Sequence, residues 1–206
     1  MMHRLLHDLR TPIGVAQGYL RLVRDGSLKT DADRDRALDQ AAASLGQLAK
    51  MCQQVSGYLD EESSGAKQPA SAAAFAGRVE AVAREHGFTV LQDGVTSDAL
   101  VDLPFGVTAS AGAVVRVFES ALRRRPAGTA TLRVVAADGE LRFVAGPGDG
   151  AAPANGANGS RTFDPWREPG LDVMLACQRI ARASGEIRSV DASPDALAIA
   201  FPVRRT

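Results

Sequence analysis

The sequence is poor in several features that would assign a function quickly. It has two cysteines in 206 residues, Cys52 and Cys177. They lie far apart in segments that read as helical, which argues against a disulfide framework or a metal site, and each is expected to be a small core residue. No apolar run approaches the roughly 18 residues that a membrane-crossing helix needs. The opening residues MMHRLLHDLR carry charges where a secretory signal requires an apolar stretch. The expected setting is therefore a reducing cytoplasm, with no membrane as partner. Lys and Arg number 24 and are matched by 24 Asp and Glu, so no bulk attraction to nucleic acid or anionic lipid is expected. No long internal repeat is present. A hydrophobic content of 45% and a charged content of 23% are ordinary for a globular protein, and the length suits a small domain followed by a medium one.

Hydrophobic spacing sets the organisation. Leu5, Leu6, Leu9, Ile13, Ala16, Leu20 and Val23 recur at three- and four-residue steps, which predicts a helix over 2–25. Pro12 should kink it, and Asp25-Gly26-Ser27 should stop it. A second helix is predicted over 31–60, started by Asp31 and Asp33, with Leu38, Ala41, Leu45, Leu48, Met51, Cys52, Val55 and Leu59 as its stripe. Two long helices with a short connection make an antiparallel hairpin. The pair alone cannot cover a wide apolar face, so the hairpin either joins a second copy in a four-helix bundle or packs on its own chain.

The polar stretch EESSGAKQPA, 61–70, reads as a linker between a domain at 1–61 and one at 71–206. Beyond it a helix is expected at 71–86, strands near 87–92 and 98–103, and a helix at 109–125. Two strands, 129–136 and 139–145, flank the hairpin signal Asp138-Gly139. Residues 146–162, rich in Gly, Ala, Pro and Asn, read as a flexible loop, followed by a helix at 169–184 and a strand pair at 186–191 and 196–202. The class is α+β: a helical hairpin, then an α/β sandwich with one mixed sheet and helices on one face.

One motif carries chemistry. The run Leu5-Leu6-His7-Asp8-Leu9-Arg10-Thr11-Pro12 resembles the phospho-acceptor box of sensor histidine kinases. An imidazole attacks phosphorus through an unprotonated nitrogen, which this side chain can offer near neutral pH. The resemblance implies that His7 accepts the phosphoryl group and that Asp8 orients the ring and takes its proton. Thr11 lies four residues on, on the same helical face, where the family uses Thr or Asn to position a hydrolytic water. Arg10 is a candidate for phosphate or partner contact or for plain solvation. Ile13, Val15, Gly18 and Tyr19 could receive a partner's helix, or could belong to the bundle core. His3 and His86 have no such context and read as ordinary surface residues.

The order of elements in 71–206 is similar to the ATP-binding domain of histidine kinases, a Bergerat-type sandwich. There the resemblance implies an Asn on a helix, an Asp before Gly-x-Gly and a later glycine-rich turn. The segment Phe118-Glu119-Ser120-Ala121-Leu122 resembles the Asn box with Ser120 in place of Asn, and Arg116 stands one turn earlier, where the family often has another Asn. Phe143-Val144-Ala145-Gly146-Pro147-Gly148 resembles the Asp box with Val144 at the adenine-reading position. Gly170-Leu171-Asp172-Val173 resembles the second glycine box with Asp172 in place of a glycine, and its carboxylate would repel a triphosphate. The lid region, 149–168, is made largely of small residues. Each missing buried hydrogen bond removes roughly 1–3 kcal/mol, so no useful ATP affinity is expected.

A phospho-accepting His without an ATP site resembles the ChpT class of dimeric histidine phosphotransferases. That likeness implies transfer from the Asp of one receiver domain through His7 to another response regulator, in a homodimer. It implies no cofactor and no metal on this chain, with magnesium held only by the receiver. Three other readings remain: a divergent kinase that still uses ATP, a receiver phosphatase acting through Thr11 and Asp8, and a non-catalytic scaffold.

Overall fold

The computed structural model describes residues 2–63, 68–93, 95, 99–122, 130–147, 170–190 and 193–205. The chain divides into two compact units, Met1–Asp60 and Glu61–Thr206.

The first unit is built on two helices, α1 (Met2–Arg24) and α2 (Asp31–Ser63). Their junction is chemically explicit. The amides of Gly26 and Ser27 return to the carbonyls of Val23 and Leu22 at 3.3 and 3.2 Å, with Gly26 at φ 65°, a left-handed helix stop that glycine adopts without strain. Thr30 then caps α2: its hydroxyl accepts from the Asp33 amide at 3.1 Å and donates to the Asp33 carboxylate at 2.8 Å. Pro12 lies inside α1 and is buried. The other buried apolar residues of the hairpin are mostly small: Ala16, Ala37 and Ala41, with Tyr58. Leu48, Met51 and Val55 are half-buried on the same side of α2. Leu38, Leu45, Cys52 and Leu59, expected in that stripe, are exposed beside it. Cys52 is thus a correction to the expected pair of core cysteines: only Cys177 is buried.

The second unit holds β1 (Gln68–Ser71), α3 (Ala72–Glu85), β2 (Thr89–Asp93), β3 (Ala99–Leu103), α4 (Gly106–Leu122), β4 (Ala130–Ala137), β5 (Glu140–Pro147), α5 (Leu171–Arg182), β6 (Glu186–Val190), β7 (Ser193–Pro202) and β8 (Arg204–Arg205). The expected mixed sheet is present, in the order β2-β4-β5-β7-β6. β2 and β4 are parallel and the other pairs antiparallel. A second, small sheet has the order β1-β3-β8; all of β1 but Ser71 falls within the stretch read as linker, and β8 was not expected. The β4–β5 turn uses Asp138 and Gly139 at φ 55° and 75°, the left-handed pair that a two-residue hairpin requires. Ser71 starts α3 by accepting from the Ala74 amide at 3.1 Å.

Alternation along the strands fixes which face meets the helices. Leu132, Val134, Leu141, Phe143, Ala145, Leu197, Ile199 and Phe201 are fully or nearly buried in one core with residues of α3, α4 and α5. At its centre Phe75 meets Phe143 and Phe201 edge-on at 5.3 and 5.1 Å, the offset geometry that aromatic quadrupoles favour. The other face carries charge: Arg142 and Arg188 pair with Glu140 at 2.8 and 3.2 Å. No helix among the described residues is long and apolar enough to cross a membrane.

Candidate functional site

Helical geometry sets the first candidate site. At about 100° of rotation per residue, His7, Thr11, Val15, Gly18 and Leu22 fall along one side of α1. Pro12 and Ala16 lie on the opposite, buried side. His7 is therefore presented outward, with 74% of its side chain exposed. Its Nδ1 stands 3.4 Å from the carboxylate of Asp8, which is itself 28% exposed. With Nδ1 turned to an acid, Nε2 is the nitrogen left to meet a phosphorus. Thr11 donates its hydroxyl to the His7 carbonyl at 3.3 Å, which keeps it within one turn of the ring. Arg10 is exposed on the same stretch.

The residues named as a docking surface separate into two groups. Val15 and Gly18 are exposed on the side of His7. Ile13 falls about 120° away around the helix, in line with Leu6 and Leu20; these three are spaced by seven residues and exposed by 37–48%. Tyr19 is half-buried. On α2, Leu38, Leu45, Cys52 and Leu59 repeat the seven-residue spacing, the period with which helices meet in a bundle. Each helix thus carries an exposed apolar seam distinct from the histidine side.

The second candidate site is the set of positions that resemble nucleotide contacts. The structure brings two of them together. Arg116 on α4 forms an ion pair with Asp172 in the first turn of α5. Its other guanidinium nitrogen donates to Glu119 at 3.1 Å, and Glu119 bonds His86 Nδ1 at 2.7 Å. His86, expected as an ordinary surface histidine, therefore joins this network; no sequence pattern links residues 86 and 119. Burial alone would raise the Glu119 pKa, but the bonds from His86 and Arg116 outweigh it and hold the carboxyl below its ordinary range. Ser120 is buried one turn beyond Arg116, 9% exposed.

Gly170 caps α5 at φ 126°, a conformation that L side chains rarely adopt, and a Cβ there would come within 2.5 Å of the Asp172 carboxylate. The backbone is shaped to seat that carboxylate at the helix N-terminus, where the helix dipole favours a negative charge.

Val144 pairs with Arg133 and Ala198 and, unlike Phe143 and Ala145, is not part of the core. Its side chain lies on the charged face of the sheet, away from α4 and α5, which corrects its placement at an adenine contact. The residues that do face the helices there, Phe143 and Ala145, have no acceptor to offer an adenine amino group. Gly148 and the lid region 149–168 lie outside the described residues, as do Arg123 to Pro126. Among the described residues no group of three or more His, Cys, Asp or Glu could hold a metal ion. Among the described residues the Arg116 cation is paired with Asp172, a carboxylate stands at the N-terminus of α5, and the inward-facing Phe143 and Ala145 of β5 carry no side-chain acceptor.

Residues 1–60 match the His Kinase A (phospho-acceptor) domain family model. The fold is similar to that of the Acinetobacter baumannii histidine kinase AdeS, with a TM-score of 0.55 and 16% identity, over 95% of this chain and 97% of that one. A mycobacterial sensor histidine kinase, MprB, aligns at a TM-score of 0.41 and 21% identity over 68% of this chain and 99% of that one. A bacterial phosphotransferase aligns at 0.38 and 18% identity over 99% and 93%. The last two superpose too loosely to carry an argument about fold or function. No curated protein matches the sequence. Residues 1–60, the hairpin that presents His7, thus match a phospho-acceptor domain family, and the fold of the chain is similar to that of a histidine kinase.

Proposed function

We propose that the chain is a phosphorelay histidine phosphotransferase. It takes a phosphoryl group from the aspartyl phosphate of one receiver domain and passes it to the Asp of another response regulator, without using ATP. The observation that carries this reading is the Arg116–Asp172 ion pair, which neutralises within the chain the positions that a nucleotide triphosphate would need.

The chemistry asks little of the hairpin. His7 Nε2 attacks the receiver's phosphorus, the N–P bond forms as the acyl P–O bond breaks, and the receiver carboxylate leaves. Positive charge develops on the ring, and Asp8 at Nδ1 stabilises it or takes the proton. The reverse steps deliver the group to the second receiver. The receiver supplies the acidic pocket and its magnesium. The exposed seams through Leu6, Ile13 and Leu20 and through Leu38, Leu45 and Leu59 suit a second copy of the hairpin, making a homodimeric four-helix bundle. Val15, Gly18 and Leu22 are left beside His7 for receiver docking.

The test is phosphotransfer from a panel of phosphorylated receivers to the wild type and to His7→Ala, with ATP alone as control. Label should appear on the wild type from a receiver and drop by at least about 1000-fold in His7→Ala, since no other nucleophile replaces the ring. Label from ATP alone would overturn the reading. A second reading, a divergent kinase, is favoured by the fold shared with AdeS over nearly the whole chain. Micromolar binding of a fluorescent nucleotide would establish it in place of the first. If His7→Ala loses transfer but still dephosphorylates a receiver, the activity belongs to Thr11 and Asp8 as a phosphatase.

A further inference from the structure

α4 packs against both α3 and α5, and one unbroken line of polar side-chain contacts crosses all three. His86, the C-cap of α3, bonds Glu119 of α4; Glu119 bonds Arg116 one turn back; Arg116 pairs with Asp172 of α5. These side chains are neither buried nor free. Arg116, Asp172 and Glu119 are 33%, 28% and 21% exposed, enough burial for their attraction to escape most solvent screening and enough exposure to avoid the cost of full desolvation. Gly170 gives the arrangement its shape, because only a residue without a Cβ leaves room for the Asp172 carboxylate against the cap of α5.

Simple decay of a binding site leaves unpaired cations and open helix ends. Here the opposite has happened. The one guanidinium in the network holds two carboxylates, and the helix N-terminus has an acid of its own.

We propose that this ion-pair line is an internal substitute for a bound nucleotide. The carboxylate of Asp172 takes the part of an anionic phosphate at the start of α5. Arg116 and Glu119 carry the tie through α4 to the end of α3. The inference rests on the ATP-independent reading above and deepens it: the domain holds its helix layer together without a ligand, and the same contacts exclude one.

A double-mutant cycle on the full chain reads this directly. Asp172→Asn is isosteric, Arg116→Gln removes the charge with a shorter polar side chain, and both should fold because the two positions are partly exposed. Each is expected to lower the urea midpoint, and the double variant should fall no further than the worse single one. Amide exchange in the first turn of α5 should speed up equally in all three variants. The same samples are then heated with and without millimolar magnesium ATP, and the wild type should show no shift in Tm. Additive losses in the cycle overturn the internal tie, whatever ATP does, and with no ATP shift in Tm they leave the phosphotransferase reading standing. A rise in wild-type Tm with ATP, with the cycle still coupled, overturns both the substitution and the ATP-independent reading.

Discussion

The two units of this chain solve the burial problem in opposite ways. The α/β unit encloses its large side chains: Phe75, Phe118, Phe143, Phe201, Leu103, Leu132, Leu141, Ile180 and Ile199 are all nearly inaccessible. The hairpin encloses mainly alanines, with Pro12 and Tyr58, and leaves many of its large side chains exposed. Of the nine exposed large hydrophobics among the described residues, eight are on α1 or α2, and Leu91 is the ninth. Scattered exposed leucines need no explanation, but residues repeating every seven positions on two helices form a seam. The α/β unit closes its own core, whereas the hairpin leaves apolar seams exposed.

Four measurements would break or sharpen this contrast. The largest effect is expected from charge in the seam. Leu38→Glu with Leu45→Glu should convert a dimer to a monomer, halving the mass in light scattering, because burying two carboxylates in an apolar seam costs more than the seam returns. If the variant keeps the wild-type mass, the seam is not where copies meet. Next, Phe143→Ala should destabilise the α/β unit by about 3–5 kcal/mol, read by chemical denaturation, while the mass of the protein stays unchanged. Loss of association in that variant would mean that the two units do not divide these roles.

The acid limb of stability gives a smaller effect. The Glu119 carboxyl titrates below its ordinary range because the bonds to His86 and Arg116 outweigh its burial. Its contribution is present above the ordinary glutamate range and is lost as pH falls through the depressed value. Glu140, held low by Arg142 and then Arg188, acts in the same direction. Glu119→Gln should therefore be less stable than the wild type at neutral pH and approach it at acid pH, in urea midpoints across that range. A constant gap would remove Glu119 from the ion-pair line. The smallest effect is in thiol chemistry. Burial pushes the Cys177 thiol up to about 12, so it should resist alkylation until the protein unfolds. Cys52, exposed in line with Leu45 and Leu59, should react in the native state, and faster in the dissociated variant than in the wild type.

The sequence was most informative where structure is local. Helix spacing, the Gly26 stop, the Asp138-Gly139 turn and the His7 box are each read within a few residues, and α1, α2, β4 and β5 fall within a few residues of their expected bounds. β1 escaped because Gln68-Pro69-Ala70-Ser71 has a linker's composition and becomes a strand only by pairing with β3. β8 escaped because Arg204 and Arg205 show no apolar alternation and are recruited by the same strand. Val144 was misplaced for a related reason. Gly-Pro-Gly shows where a strand ends, but which side of the sheet a residue faces is set by the pairing of β5 with β4 and β7, and one step along a strand reverses it.

That the positions resembling nucleotide contacts are altered is legible from Ser120 and Asp172 alone. What those residues contact is not. Residue identity by itself determined the hairpin, the α+β class, the position of His7 on a helix and its acid neighbour, because these depend on periodicity and adjacent groups. Only the tertiary structure decided that Asp172 meets Arg116 across 56 positions and that His86 closes the line through Glu119. It also decided that Cys52, Leu38, Leu45 and Leu59 lie outside. Those outcomes depend on which surfaces helices and strands turn toward one another, and that is a property of the packed chain.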